Sequence, residues 1–241
     1  MSTPTFALLV FTLNEIDGMK QIMPTIQSEW VDEILVVDGG STDGTVEFAR
    51  DKGYAVHVQK KEGFRHAYIE ALNVIKSDYI IAFSPDGNSI AEKIPELIAK
   101  ALEGYDMVTC SRYLEDAKSY DDDLITAFGN RLFTKSINLF HGGRYTDAMV
   151  MYRAVHRKVF AGLKLDTDQP FRIPEWLFQT KICLMPLLSI RAARKNIRTT
   201  EIPGDEPARV GGERKVKIFR WGMAYYFQII FEMIYRFERR T

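Results

Sequence analysis

Apolar residues along the chain fall into short runs separated by segments of helical period. Runs at residues 6–11, 34–37, 55–58, 79–83 and 107–111 read as strands, and helical patterns occupy 17–27, 46–52, 64–75 and 90–103. The 64–75 pattern puts Ala67, Ala71, Leu72 and Ile75 on one face, while Pro24 leaves the end of the first helix undefined. Strand and helix in alternation predict an α/β domain with a mostly parallel central sheet flanked by helices and right-handed crossovers. Beyond it the pattern predicts an acidic, solvated, mobile loop at 115–123, a helix at 124–140, a strand at 145–153, a short helix at 155–161 and a late strand at 197–202. Residues 203–214, with two prolines and three glycines, read as a loop. A last helix spans 217–240. At 100° per residue its Lys217, Arg220, Gln228, Glu232, Arg236 and Arg239 share one side, and Phe219, Met223, Tyr226, Phe227, Ile230, Met233, Ile234 and Phe237 the other. The economical division is one domain over 1–215 and a C-terminal amphipathic helix over 216–241.

Chemistry concentrates at the strand ends. The strand at 34–37 runs into Asp38-Gly39-Gly40-Ser41-Thr42-Asp43-Gly44-Thr45, an acid, two glycines and three candidate helix caps. The carboxyl edge of an open α/β sheet is where ligands bind. A carboxylate there can accept hydrogen bonds from a nucleobase N–H or a ribose hydroxyl, whereas a capped turn with no ligand leaves the acid and the two glycines unexplained. These eight successive positions resemble the first signature of the family 2 inverting glycosyltransferases, which have the GT-A nucleotide-sugar-binding fold.

Further motifs extend the resemblance over residues 7–215. Thr12-Leu13-Asn14-Glu15, after the first strand, is similar to the family's Asn-Glu element, which implies that Thr12, Asn14 and Glu15 line the nucleotide pocket with Asp38 and Gly39. Gly63 before a helix suits phosphate, so Arg65 is a candidate for the donor diphosphate, or else a surface residue of the first turn; His66, with no evident partner, reads as structural. Ser84-Pro85-Asp86-Gly87-Asn88 stands where the family carries Asp-x-Asp, whose acids hold a divalent cation against the diphosphate. Ser84 replaces the first acid, Asp86 matches the second, and Asn88 falls where a subset of the family has Gln. The implied cofactor is Mg²⁺ or Mn²⁺ on Asp86 and Asn88, weakened by the missing acid; a plain Pro-Asp-Gly turn is the alternative. Ser111-Arg112-Tyr113, Gly129-Asn130-Arg131, Thr146-Asp147 and Arg209-x-x-Gly212-x-x-Lys215 resemble the dolichyl-phosphate mannose synthase branch, which moves a sugar onto a polyprenyl phosphate. That resemblance implies that Arg112 and Arg131 hold the acceptor phosphate, with Lys135 an alternative to Arg131, and that Arg209 and Lys215 lie on a loop closing over the donor. Asp86, Asp147 and Arg112 are then the catalytic candidates. A phosphate nucleophile, with a second pKa of about 6, needs little help from a base; an acceptor hydroxyl needs a real one, for which Asp147 and Glu175 are candidates.

Composition changes this picture little. The chain has 241 residues, enough for one large domain, and its two cysteines, Cys110 and Cys183, read as core residues of a reducing compartment. No run approaches the ~20 apolar residues of a transmembrane helix, and a signal peptide is not expected. Net charge is zero, but residues 191–241 hold twelve Lys and Arg against six Asp and Glu. That basic end, the apolar helix face and the apolar stretch at 182–190 suit a membrane surface, with docking on the core or on a second copy of the chain as the alternative. The expectation is an inverting transferase, peripheral on the cytoplasmic face of the membrane. Its partners would be a nucleotide-diphosphate sugar and a polyprenyl phosphate or glycan acceptor, with no nucleic acid. The rivals are transfer to a saccharide hydroxyl, a nucleotidyltransferase, disfavoured by the absence of a glycine-rich basic loop after the first strand, and a non-catalytic nucleotide-sugar-binding protein.

Overall fold

A computed structural model of the chain describes residues 3–210 and 218–235. The elements in chain order are β1 (Phe6–Thr12), α1 (Ile16–Ile22), β2 (Glu33–Asp38), α2 (Thr45–Asp51), β3 (Ala55–Val58), α3 (Phe64–Leu72), β4 (Tyr79–Phe83), α4 (Ile94–Leu102), β5 (Met107–Ser111), α5 (Leu124–His141), β6 (Arg153–His156), α6 (Lys158–Gly162), α7 (Arg172–Phe178), α8 (Met185–Arg194), β7 (Thr199–Pro203) and α9 (Ile218–Ile234). The strands form one sheet in the order β3-β2-β1-β4-β6-β5-β7, parallel throughout except for β6, which runs antiparallel to β4 and β5.

The central strands are near-continuous apolar runs because both faces of the sheet are covered. Along β1 the side chains alternate between two cores: Ala7, Leu9 and Phe11 join the cluster packed by α3, α5, α8 and α9, while Phe6, Leu8 and Val10 join the one packed by α1 and α4. The β1/β2 register pairs Thr12 with Asp38, so both strands end at the same level of the carboxyl edge.

Several expectations are corrected. Residues 145–152 form no strand. Their backbone is held by side chains, with Glu201 accepting from the Thr146 and Asp147 N–H groups and Thr134 from Ala148 N–H, and the strand begins only at Arg153. The short helix correspondingly starts at Lys158, after β6. The stretch at 182–190 is no surface element: α8 buries Met185, Leu187, Leu188 and Ile190 in the core. The 1–215/216–241 division falls at undescribed residues, and α9 contributes Ala224, Tyr225 and Ile229 to the main core cluster. Cys110 and Cys183 are free thiols packed in or against the cores, as expected.

The orientation of α9 is also unexpected. Gln228 and Glu232 of its polar side are 0% and 1% exposed, and Glu232 is paired with the equally buried Arg191 of α8 at 2.7 Å. Met223, Tyr226, Ile230, Met233 and Ile234 of its apolar side are exposed, the first three along the cavity described below. No described helix is long and apolar enough to cross a membrane.

Candidate active site

The ends of β1 and β2 are stitched into one platform. Asp38 is fully buried and accepts four hydrogen bonds, from Thr12 Oγ1 (2.8 Å), Gly40 N (2.8 Å), Ser41 N (2.8 Å) and Ser41 Oγ (2.5 Å). Of the two glycines only Gly40 needs its freedom, with φ of +96°. Asn14, at φ +56°, accepts from Thr42 N and donates its own N–H to Ser41 Oγ. Gly39 N donates to Thr12 O, and Glu15 N to Thr45 Oγ1. Thr12, Asn14, Glu15, Asp38 and Gly39 are therefore brought together as the motifs imply. The expected contact from Asp38 to a nucleoside needs revision. A carboxylate offers roughly four acceptor sites, and all of them are taken by the turn itself. Asp38 shapes the platform.

Arg65 is likewise engaged. It lies 3% exposed at the start of α3, paired with Asp168 and, at 3.0 Å, with Glu175, its guanidinium 4.3 Å from the centre of the Phe171 ring. The segment around α7 folds over it and supplies these acids, so neither the free diphosphate contact nor the free Glu175 base is present in this conformation. His66 does have partners, Asp168 at 2.9 Å and the Glu62 carbonyl at 2.6 Å.

The floor of the site follows β4 and β5. Asp86 is 4% exposed; it pairs with Arg209 Nη1 at 3.0 Å, and its backbone carbonyl accepts from Val210 N. The approach is close: a Cβ on Gly87 would lie 2.8 Å from Val210 Cγ2. Arg209 thus already lies over the Asp86 turn, while Lys215 falls outside the described residues. Arg112 is the second cation of the floor. Its Nε and Nη2 donate to the two oxygens of Asp147 (2.6 and 3.1 Å) and its Nη1 to Glu206 (3.1 Å), with Asp122 at 3.8 Å. Asp147 is fully buried and also accepts from the N–H groups of Met149 and Val150. Burial alone would raise its pKa; the Arg112 charge and hydrogen bonds reverse that and hold it below the ordinary value. A carboxylate this committed is a poor proton acceptor; what the geometry shows is Asp147 holding the Arg112 guanidinium in place. Glu206 behaves oppositely: burial pushes its pKa up, with Arg112 and Ser119 only partly offsetting it. Arg131 is exposed and does not line the cavity, but it lies 5.9 Å from the centre of the Tyr113 ring, which Arg112 approaches to 5.2 Å.

Sequence reading missed Asp121, Asp122 and Glu206. The acidic run at 115–123 is not the solvated loop its composition predicts. Instead Asp121 pairs with Arg209 and accepts from Asn88 Nδ2, Asp122 bonds Tyr113 and Asn130, and Ser119 bonds Glu206. The usable signal was an acid-rich stretch directly after Ser-Arg-Tyr. Asp86, Asp121, Asp122, Asp147 and Glu206 thus surround Arg112 and Arg209, five carboxylates against two guanidinium groups.

Above the floor opens a cavity of about 1160 Å³. Its walls are apolar: Ile125, Phe128, Leu132 and Phe133 from α5, and Trp221, Met223, Tyr226 and Ile230 from α9.

The sequence profile of Glycosyl transferase family 2 matches residues 10–163, from the middle of β1 to the end of α6. The chain belongs to this family. Its platform, the turn at Asp86 and the Arg112–Asp147 pair all lie within the matched residues. Family 2 relatives include the glycosyltransferase AglJ of Haloferax volcanii, 30% identical over 84% of this chain and 63% of that protein. Another is the undecaprenyl-phosphate 4-deoxy-4-formamido-L-arabinose transferase of Aeromonas hydrophila, 24% identical over 84% of this chain and 56% of that protein. The chain therefore spans somewhat over half the length of these relatives. Among solved structures, glucosyl-3-phosphoglycerate synthase of Mycobacterium tuberculosis in complex with Mn²⁺, UDP and phosphoglyceric acid superposes with a TM-score of 0.64 at 16% identity, over 95% of this chain and 78% of that one. At that identity the likeness is one of fold, and the fold is of the GT-A type.

Among the described residues no group of three or more His, Cys, Asp or Glu side chains forms a metal site. The donor set of the Asp86 turn nevertheless fits a hard cation. Asp86 offers a carboxylate, Asn88 Oδ1 is buried without a hydrogen-bond partner, and the floor carries an excess of negative charge.

Proposed function

We propose that the chain is the catalytic unit of an inverting glycosyltransferase that moves a sugar from a nucleotide-diphosphate donor to a polyprenyl phosphate, working peripherally at the cytoplasmic face of a membrane. The observation that carries this reading is one cavity with an acid- and arginine-lined floor at the strand ends and long apolar walls from α5 and α9. A substrate with a phosphate head and a hydrocarbon tail matches that division. The names of the relatives from Haloferax and Aeromonas, a glycosyltransferase and an undecaprenyl-phosphate sugar transferase, point the same way.

In the reaction a phosphate oxygen of the acceptor attacks the anomeric carbon from the side opposite the nucleotide. The new C–O bond forms as the bond to the diphosphate oxygen breaks, which inverts the centre. The platform of Thr12, Asn14, Glu15, Asp38 and Gly39 seats the nucleoside through its backbone and the rims of its side chains. Asp86 and Asn88 would hold Mg²⁺ or Mn²⁺, which when bound neutralises charge on the leaving diphosphate. Arg112, fixed by Asp147, turns its Nη1 edge towards the acceptor phosphate. Glu206 and Asp122 hold that edge in the free protein, and an entering phosphate exchanges with them. Arg131 supplies a further cation beside Tyr113. Arg209, and Lys215 beyond the described residues, act at the donor side. The apolar walls exclude water from the reacting carbon.

The exposed apolar side of α9 supports contact with lipid, as do Leu124 and Phe128 of α5 and Trp176 of α7, 91%, 68% and 72% exposed. A saccharide hydroxyl as acceptor is the second reading; that reaction needs a base, and Glu206, on the cavity floor with a pKa raised by burial, would supply it. The test is transfer of radiolabelled sugar from nucleotide sugars with polyprenyl phosphate in vesicles. Label in the organic-extractable fraction supports the proposal, and label confined to water-soluble glycan overturns it.

A further inference from the structure

Ser84 leaves the expected cation site one carboxylate short, yet the structure brings another carboxylate to the same place. Arg209 spans two acids: its Nη1 lies 3.0 Å from Asp86 Oδ2 and its Nε 3.2 Å from Asp121 Oδ2. Asn88 ties the same two together, donating from its backbone N–H to Asp86 Oδ1 (3.1 Å) and from Nδ2 to Asp121 Oδ2 (3.2 Å), while its own Oδ1 remains buried and unpaired. The side chains of Asp86 and Asp121 are 6% and 17% exposed. Two shielded carboxylates that share one guanidinium need a positive charge between them, because without it neither is compensated in a region of low dielectric. Two carboxylates, an amide oxygen and the oxygens of a diphosphate form the donor set that Mg²⁺ and Mn²⁺ accept.

We propose that Asp121 supplies the second carboxylate of the divalent-cation site, replacing the acid absent at Ser84, and that Arg209 occupies this site until a cation displaces it. The proposal rests on the transferase reading and deepens its cation site. The guanidinium holds Asp86 and Asp121 together in the free protein and competes with the cation. The cation takes over the two carboxylates and the Asn88 oxygen, and Arg209 is released towards the anionic diphosphate beside it. A loop remote in sequence from the Asp86 turn thereby enters the donor site.

The probe is Mn²⁺ alone, titrated into the full chain, with free Mn²⁺ counted by electron paramagnetic resonance and folding checked by circular dichroism. Arg209→Ala is expected to bind Mn²⁺ about tenfold or more tightly than the unaltered protein, by removal of the competitor. Adding Asp121→Asn to Arg209→Ala is expected to weaken binding about as much as adding Asp86→Asn, by about tenfold or more. Arg209→Ala with unchanged or weaker Mn²⁺ binding overturns the competition. Loss with Asp86→Asn but not with Asp121→Asn overturns the role of Asp121 and leaves the transferase reading standing. Indifference to both substitutions overturns the inference together with the cation site of that reading.

Discussion

At the strand-end platform polar groups are matched to one another: Asp38 takes four donors, and Asn14 and Ser41 lace the two loops together. Helix α9 mixes the two kinds of group. It buries Gln228 and Glu232 beside Ala224, Tyr225 and Ile229, lines the cavity with Met223 and Ile230, and leaves Met233 and Ile234 exposed. The platform is what a rigid seat for a polar ligand requires, since preorganised groups lose little freedom on binding. The exposed apolar side of the helix suits the lipid contact proposed above. The helix is held by Ala224, Tyr225 and Ile229 in the core and by the buried Arg191–Glu232 pair, and the arrangement can be tested by breaking that pair.

The largest effect is expected at that pair. Glu232→Ala strands Arg191, 1% exposed, and should lower stability by about 3–5 kcal/mol, measured by urea denaturation. Arg191→Met with Glu232→Leu should restore most of it, because two apolar side chains of similar volume leave no buried charge unpaired. On the platform, Asp38→Ala removes the acceptor of four hydrogen bonds and should cost about 2 kcal/mol or more, with a weaker apparent affinity for the donor nucleotide. If Asp38→Ala proves as stable as the unaltered chain, the platform is not the rigid partner in this comparison.

The acid pair around Arg112 gives a pH signature of two signs. The pKa of Asp147 lies below its ordinary value of 3.8, so its contribution to stability is present above that pH and is lost as pH falls through the lowered folded value. The pKa of Glu206 lies above its ordinary value of 4.5, so its contribution is present below that pH and is lost as pH rises through the raised folded value. Glu206→Gln should remove the second dependence and Asp147→Asn the first, read from denaturation midpoints across the acid range. Asp147→Asn should also lower kcat, since Arg112 loses the charge that fixes it. The smallest effect is expected at the exposed apolar surface proposed to meet lipid. Trp176→Ser or Ile234→Ser, at residues 72% and 79% exposed, should each reduce co-sedimentation with anionic vesicles by roughly tenfold, the equivalent of about 1.5 kcal/mol for one apolar side chain, and leave the fold intact.

Most of the strand–helix order was readable from sequence, and β3, β4 and β5 fall at the predicted bounds. All three are short apolar runs; β4 and β5 are buried on both faces, while β3 is a partly exposed edge strand bounded by Gly53 and the polar segment after Val58. Residues 145–152 misled because an apolar run beside an acid looks like a strand, whereas here Glu201 and Thr134 take the hydrogen bonds a ladder would have supplied. The motifs identified most of the residues of the site but not their pairing. Nothing in sequence order tells that Arg65 meets Asp168 and Glu175, or that Arg112 meets Asp147 and Glu206, contacts that span roughly a hundred residues or less and depend on how loops fold back. The direction in which α9 faces was legible as a pattern of two sides. Which side is buried was decided by Arg191 on another helix.

The central claim is that the acidic floor and the apolar walls of the cavity serve one substrate. A photoactivatable polyprenyl phosphate, crosslinked to the full chain in vesicles and mapped by mass spectrometry, tests it most directly. Adducts are expected on Phe128, Leu132, Tyr226 and Ile230, lost in competition with unlabelled polyprenyl phosphate. Adducts confined to the opposite face of the sheet, around α1 and α4, would contradict it.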